Sequence, residues 1–342
     1  MNLSLKATKD IYIIAEIGHN HQGDIKTAFE LFKQAKFAGA NAVKLQKRDN
    51  KKLYTKKFYN QIYENKNSYG KTYGLHREFL EFNLTQYREL QSYAKELKID
   101  FFATPFDFAS VEFLERLNMP AYKIASGDLT NTPLQREIAK LNKPIFLSTG
   151  GGTLLDIKRA YENIISINKN LSILHCTASY PATIEDMNLA VIKKLKKTFK
   201  NCRIGLSDHE NGIDAAPIAY MLGATIFEKH FTLDRSKKGT DQSFSLEPIG
   251  LKKFVRNLLR IKKMIGSENK KLLESEIAPL FKMKKSIVAK KKLLAGKVLQ
   301  YSDLDFKSPG DGIEPYRYKE LIGKVIQKNI EVDELVLLKD VK

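Results

Sequence analysis

The sequence predicts a (β/α)8 TIM barrel followed by a small β-rich C-terminal domain. Three observations point there. Short strand-like runs alternate with amphipathic helical runs along most of the chain. Eight strand-then-helix units occupy the N-terminal part, which is the count and length of such a barrel. A doubly wound open sheet carries a glycine-rich phosphate turn after its first strand, and Gly18-His19-Asn20-His21-Gln22-Gly23 lacks that spacing.

The strand candidates are Ile11–Ile17, Ala42–Gln46, Phe101–Thr104, Ala121–Ile124, Ile145–Ser148, Leu171–Cys176, Arg203–Ser207 and Thr225–His230. Between them, apolar residues recur at helical spacing. Ala28, Leu31, Phe32 and Ala35 form one stripe, with Asp24 placed as N-cap and Gly39 as C-cap. Tyr87, Leu90, Ala94 and Leu97 form another, Ile157, Ala160, Tyr161 and Ile164 a third, and Leu251, Phe254, Val255 and Leu258 a last. The connection from Lys47 to Leu84 is far longer than the usual βα turn, and tyrosines 54, 59, 63, 69 and 73 spaced through it argue for order. The pattern divides the chain into a barrel over 1–266, a charged linker over 267–284 and a C-terminal domain over 285–342. In the last part, runs at Ser286–Ala289, Leu304–Lys307 and Val332–Leu338 are separated by turn residues such as Ser308-Pro309-Gly310-Asp311-Gly312.

At 342 residues the chain is long enough for a large core and a second unit, and 43% hydrophobic with 28% charged residues is ordinary for a globular protein. The formal charge of +19 is not. A basic field serves nucleic acid, a membrane surface or small anions. Here the lysines cluster in runs such as Lys193-Lys194-Leu195-Lys196-Lys197, the solvated face of a helix, without the interleaved aromatics of a single-strand binder. A nucleic-acid or membrane partner is therefore not expected, and steering of a small anion is. Two cysteines, Cys176 and Cys202, make no disulfide framework. The run Ile11–Ile14 is too short for a signal peptide, and no stretch approaches a membrane span. A cytoplasmic location follows as an expectation.

In a barrel the C-terminal strand ends share one mouth. Those ends carry Glu16, Lys44, Gln46, Thr104, Lys123, Ser126, Ser148, Ser207, His209, Glu228 and His230. Two lysines with several hydroxyls suit a phosphate and a carboxylate together. Two neutral imidazoles, His209 and His230, suit a divalent metal with positions left open for substrate. Glu16 faces them and suits holding a metal-bound water or moving a proton. Plainer readings stand beside these. An inward Lys44 or Lys123 can simply pair with Glu16 or Glu228, and His175, mid-strand, reads as a core histidine. His19 and His21 can cap the first helix or line the mouth, with one of them touching substrate.

The ordered motifs Ala15-Glu16-Ile17-Gly18 with Asn20-His21, Val43-Lys44-Leu45-Gln46, Ala103-Thr104-Pro105-Phe106, Tyr122-Lys123-Ile124-Ala125-Ser126-Gly127-Asp128, Leu147-Ser148-Thr149-Gly150, His175-Cys176-Thr177 with Tyr180-Pro181, Gly205-Leu206-Ser207-Asp208-His209 and Glu228-Lys229-His230-Phe231-Thr232-Leu233 resemble the sialic acid synthase family. That family is a TIM barrel carrying a SAF domain, similar to type III antifreeze proteins. The loop Asn67-Ser68-Tyr69-Gly70-Lys71-Thr72-Tyr73-Gly74 resembles its animal-type branch, the N-acylneuraminate-9-phosphate synthases.

The resemblance implies condensation of phosphoenolpyruvate with an N-acetylmannosamine-type aldose amino sugar to give a nine-carbon 2-keto acid and phosphate. It implies His209 and His230 as ligands of manganese, with magnesium or cobalt as alternatives, and Glu16 as the carboxylate near it. Lys44, Thr104, Lys123, Ser126, Ser148 and Ser207 match positions around phosphoenolpyruvate, and Gln46, Tyr180 and Asp241 match the sugar side. A domain-swapped homodimer is implied as well. Two positions depart from the bacterial free-sugar pattern: Ala178 where that pattern has Asn, and Ser308 where it has Arg. With the animal-type loop, they motivate a 6-phosphosugar acceptor met by cations among Lys47, Arg48, Lys71, His76 and Arg77. Legionaminic or pseudaminic acid synthesis, and an aldose phosphate acceptor, are alternative enzyme readings. A binding module with a basic surface is the non-enzymatic one.

Overall fold

The computed structural model describes residues 11–342. Eight parallel strands close into a barrel in sequence order: β1 (Tyr12–Gly18), β2 (Ala42–Lys47), β3 (Asp100–Pro105), β4 (Tyr122–Ile124), β5 (Ile145–Ser148), β6 (Leu171–Cys176), β7 (Arg203–Asp208) and β8 (Ile226–His230). Closure is made by β1, which pairs with β2 on one side and β8 on the other. Helix α1 (Ile25–Ala38) follows β1. Its N-cap is Asp24, whose carboxylate accepts from the Lys26 and Thr27 amides, and its C-cap is Gly39 at φ 95°. Three short helices, α2 (Asn50–Leu53), α3 (Lys56–Tyr59) and α4 (Tyr73–Phe79), lie in the long connection before α5 (Leu84–Leu97). The ring is completed by α6 (Phe108–Glu115), α7 (Thr132–Lys140), α8 (Leu154–Ile165), α9 (Val191–Thr198), α10 (Ala215–Met221) and α11 (Pro248–Ile265). On α9, Ile192 and Leu195 are buried while Lys193, Lys194, Lys196 and Lys197 are exposed, as the spacing predicts. Among the described residues no helix is long and apolar enough to cross a membrane.

The two-residue period of a strand sorts the barrel interior into layers. The lower layer is apolar: Ile14, Ala42, Phe102, Ala121, Phe146, Leu174 and Ile226 pack together, with Phe102 and Phe146 stacked at 5.2 Å. Two residues further along each strand, the interior becomes Glu16, Lys44, Thr104, Lys123, Ser148, Cys176, Ser207 and Glu228, all buried. The dry lower layer closes the barrel beneath this polar one, so access is from the C-terminal mouth. Gly205 completes the apolar layer as a gap. A Cβ there would meet Leu174 Cδ2 at 2.4 Å and the Ile226 carbonyl oxygen at 2.5 Å.

The tyrosine-rich connection is ordered by its own rings. Tyr73 contacts Tyr54, Phe58 and Tyr63 at centroid distances of 5.2, 4.7 and 5.3 Å, and Tyr69 stacks on Phe79 at 4.9 Å. It is pinned to neighbouring mouth loops, since Tyr69 Oη donates to the Lys238 carbonyl (2.8 Å) and the Gly239 amide donates to Asn67 (3.3 Å).

The chain divides into two compact units at Ile265/Gly266. In the second, α12 (Glu274–Met283) occupies the stretch read as a charged linker. Glu276 accepts from the Leu273 amide and so caps the helix start. Its Ile277 and Phe281 are exposed, and Pro279, which argues against a helix in the sequence, lies inside it. Strands β9 (Ser286–Ala289) and β10 (Leu304–Lys307) pair antiparallel. The run Val332–Leu338, expected as a strand, makes only the single bridge Leu335–Val288 and then turns into a 3-10 segment at Leu338–Asp340. Asp333 at φ 67° breaks the extended backbone there. Ile287, Ala289, Leu293, Leu299, Leu321, Ile326, Ile330 and Val336 form this unit's own core.

Candidate active site

The mouth of the barrel holds a cavity of about 470 Å3, within the range of small-molecule sites. The twelve residues matched to catalysis, metal, phosphoenolpyruvate or the sugar all line it: Glu16, Lys44, Gln46, Thr104, Lys123, Ser126, Ser148, Tyr180, Ser207, His209, His230 and Asp241. Arg48, Arg77, Phe106, Cys176, Ala178, Glu228 and Thr240 line it too.

Its floor is a buried charge network. Lys44 Nζ sits 2.6 Å from Glu16 Oε2 and donates to Thr104 Oγ1 at 2.9 Å. Lys123 Nζ donates to Glu228 Oε1 at 3.1 Å, and Ser207 Oγ donates to the same oxygen at 3.1 Å. Lys44 lies 3.9 Å from the other Glu228 oxygen. Burial pushes the Glu228 carboxyl up, but Lys123 and Lys44 outweigh it and hold the group down to about 2. Both lysines therefore have carboxylate partners, as the plainer reading expected, and both still face the cavity. Ser148 Oγ is buried without a hydrogen-bond partner. Ser126 Oγ accepts from the Gly150 amide at 3.0 Å and donates to Cys176 Sγ at 3.4 Å. Burial raises the Cys176 thiol and keeps it protonated.

The two histidines meet on one wall, ring centroids 5.3 Å apart. Nδ1 of His209 lies 2.8 Å from the Thr177 carbonyl, which can only accept, so the proton is on Nδ1 and the Nε2 lone pair is left over. Burial, aided by His230, lowers His209 to about 3. It is a neutral imidazole at physiological pH. His230 Nδ1 is buried without a hydrogen-bond partner, 3.8 Å from Asp241 Oδ2. The Tyr180 ring covers both imidazoles, at 4.3 Å from His209 and 6.2 Å from His230. Among the described residues no set of three or more His, Cys, Asp or Glu side chains comes together as a metal cage. Two free imidazole nitrogens nonetheless fit a cation that draws its remaining ligands from substrate and water.

Above the floor, Arg48 and Arg77 approach His19 from opposite sides. Arg48 Nη1 is 3.3 Å from His19 Nε2, and Arg77 Nη1 is 3.2 Å from His19 Nδ1. Burial and the two guanidiniums push His19 well below its ordinary value, so it is neutral. A neutral imidazole has one lone pair. It accepts from one arginine and presents an N–H to the other. Arg48 also lies 3.7 Å over the Phe106 ring and donates to Gln46 Oε1 at 2.7 Å. Among the described residues neither guanidinium is ion-paired with a carboxylate; one oxygen of the nearby Glu81 is paired with Lys47 at 2.7 Å and the other lies 3.6 Å from His19 Nε2.

Other cations proposed for a phosphate do not reach the cavity. Lys47 is committed to Glu81, and Lys71 is exposed on the loop. His76 accepts from the Tyr69 amide at 3.1 Å and faces away from the main cavity into a small neighbouring void. His19 and His21 do not line the cavity either. His21 stacks on Phe82 at 4.1 Å and accepts from the Gly23 amide. His175 donates to the Met187 carbonyl at 2.7 Å as a core histidine. Cys176 and Phe106 carry no assigned role in the sequence reading, and Glu228 stands there only as a mouth residue and a partner for an inward lysine. Cys176 was detectable there, since it lies two residues beyond the inward Leu174 on its strand, as Glu228 does beyond Ile226.

Comparison with known proteins gives a consistent outcome. The model of the NeuB family matches residues 31–270, and that of the SAF domain matches residues 284–342. The chain is 41% identical over 332 residues to N-acetylneuraminate-9-phosphate synthase of Mus musculus, covering 97% of this chain and 92% of that one. It is 39% identical to N,N'-diacetyllegionaminic acid synthase of Campylobacter jejuni, covering 96% and 99%. The solved structure of an N-acetylneuraminic acid synthetase from Leptospira borgpetersenii matches with a TM-score of 0.69 at 31% identity, over 80% of this chain and 90% of that one. With a family match over most of its length and relatives similar from end to end, the chain belongs to the NeuB family and carries a C-terminal SAF domain.

Proposed function

We propose that the protein joins phosphoenolpyruvate to an N-acetylmannosamine-type aldose bearing a 6-phosphate, forming a 9-phosphorylated nonulosonic acid and releasing phosphate. The single observation that carries the phosphate is the Arg48–His19–Arg77 arrangement, a buried and a half-buried guanidinium on the cavity wall, neither ion-paired with a carboxylate among the described residues. Their planar forks suit a terminal phosphate. Three relatives at 39–41% identity are N-acetylneuraminate-9-phosphate synthases, which supports the same choice.

Lys44, Lys123 and the hydroxyls of Thr104, Ser126, Ser148 and Ser207 bind the carboxylate and phosphate of phosphoenolpyruvate. Gln46, Tyr180 and Asp241 orient the sugar. His209 and His230 would hold a divalent cation, manganese with magnesium or cobalt as alternatives, which would supply Lewis-acid polarisation of the aldehyde. C3 of the enol ester then attacks the aldehyde carbon. Water adds at C2, and collapse of the tetrahedral adduct breaks the bond to the phosphate oxygen, leaving the keto acid. Glu16 holds that water and takes its proton, a role supported by its hydrogen bond from Gln46 at 2.7 Å and its pairing with Lys44 beside the cavity. A homodimer working in a reducing cytoplasm completes the proposal, and light scattering checks the dimer.

The test supplies manganese, phosphoenolpyruvate and a panel of free and 6-phosphorylated hexosamines, following phosphate release and product mass. We expect 6-phospho-N-acetylmannosamine to exceed the free sugar at least tenfold in kcat/KM. Equal rates remove the phosphate assignment. No consumption with any acceptor removes the synthase reading.

A further inference from the structure

We propose that the buried ion pair Asp208–Lys229 is a positioning clamp that sets the two histidines of the site side by side. The proposal rests on reading His209 and His230 as paired ligands. Asp208 and Lys229 each immediately precede one of them, and they are direct register partners on β7 and β8. By strand alternation they face away from the mouth, on the opposite side of the sheet from Ser207, His209, Glu228 and His230. Their side chains are 1% and 0% exposed, and Nζ lies 2.8 Å from Oδ2.

The pair reaches across His209 to the far side of it. Asp208 Oδ1 accepts from the Glu210 amide at 3.0 Å, and Lys229 Nζ donates to the Glu210 carbonyl. The peptide groups leaving His209 are thus tied to the strand that carries His230. A buried ion pair is weak evidence for stability, because well-packed apolar residues replace it at little loss; its best-attested use is to specify register. Register matters here, since a one-residue slip of β7 against β8 would turn one imidazole out of the mouth. An apolar pair would fill the same space without tying Glu210.

The test uses the full chain with 15N-labelled histidine and the double variant Asp208→Asn/Lys229→Met, which leaves no orphan charge. In the metal-free native protein, His209 gives the Nδ1–H tautomer signature that the Thr177 carbonyl imposes. In the double variant, with far-UV circular dichroism unchanged, that signal is expected to average between tautomers. The manganese dissociation constant, read from free Mn2+ by EPR, is expected to rise at least tenfold. A folded variant that keeps the native tautomer signal and binds manganese within twofold of native overturns the clamp. If the double variant does not fold, Lys229→Gln is judged by the same two criteria. A native protein that binds no manganese would instead sink the ligand assignment, and the tautomer signal would still decide the clamp.

Discussion

Lys123 and Glu228 meet across the barrel, 3.1 Å apart, from strands β4 and β8 that stand on opposite sides of an eight-stranded ring. The contact closes the floor of the cavity with a carboxylate shared between Lys123, Ser207 and, at longer range, Lys44. Removing that carboxylate leaves Lys44 paired with Glu16 and Lys123 with no acid partner among the described residues. Glu228→Gln is expected to lower stability by about 3–5 kcal/mol and kcat/KM for phosphoenolpyruvate at least tenfold. Denaturant midpoints and steady-state kinetics check both. A variant of native stability and activity would show that Glu228 is dispensable as a clamp.

The same carboxyl and the buried histidines set the acid response. Glu228 is held down to about 2, so its contribution is present above the unfolded carboxyl range and fades as pH falls from about 4.5 toward 2. Histidines act earlier. Burial lowers both His21 and His209 to about 3, so the unfolded chain binds more protons than the folded one between about 3 and 6.5. Stability therefore falls as pH drops through that window, by up to about 1.4 kcal/mol per pH unit for each histidine. Urea midpoints measured from pH 7 to 4 should decline steadily. A flat profile down to pH 5 would mean these imidazoles are not buried in neutral form.

Much of this was legible in the sequence because the barrel writes its interior in steps of two. Ile14 then Glu16, Phe146 then Ser148, and Ile226 then Glu228 then His230 each pass from the dry layer to the polar one along a single strand. Arg48 and Arg77 stood among five candidate cations, but that these two of the five meet at the cavity was not legible. Arg48 and Arg77 are brought together by a turn of the tyrosine-rich connection, whose path is set by ring contacts such as Tyr73 on Phe58 rather than by any local periodicity. Helix α12 was missed for a different reason: Pro279 stands inside it, and an interior proline reads as a helix breaker.

The arginine assignment predicts a split between acceptors. Arg48→Ala and Arg77→Ala should each raise KM for the 6-phosphosugar at least tenfold, while KM for phosphoenolpyruvate moves less than threefold. Arg77→Lys keeps the charge without the fork and should recover only part of the loss. Equal losses for free and phosphorylated sugar would place both arginines in packing rather than phosphate recognition.

Two glycines separate global stability from loop placement. At Gly205 an added Cβ would lie 2.5 Å from a backbone oxygen inside the barrel, where neither strand can move independently of the ring. Gly205→Ala should cost about 1–3 kcal/mol, seen as a lower unfolding midpoint. At Gly74, on the helix that carries Arg77, a Cβ would lie 2.2 Å from the Tyr59 ring. That ring is half-buried on a short surface helix and can swing aside, carrying its neighbours with it. Gly74→Ala should therefore leave the unfolding midpoint nearly unchanged but raise KM for the phosphorylated acceptor several-fold, with little effect on phosphoenolpyruvate. The opposite pattern, a global loss with both Michaelis constants intact, would mean that the connection packs as part of the barrel core and does not place Arg77.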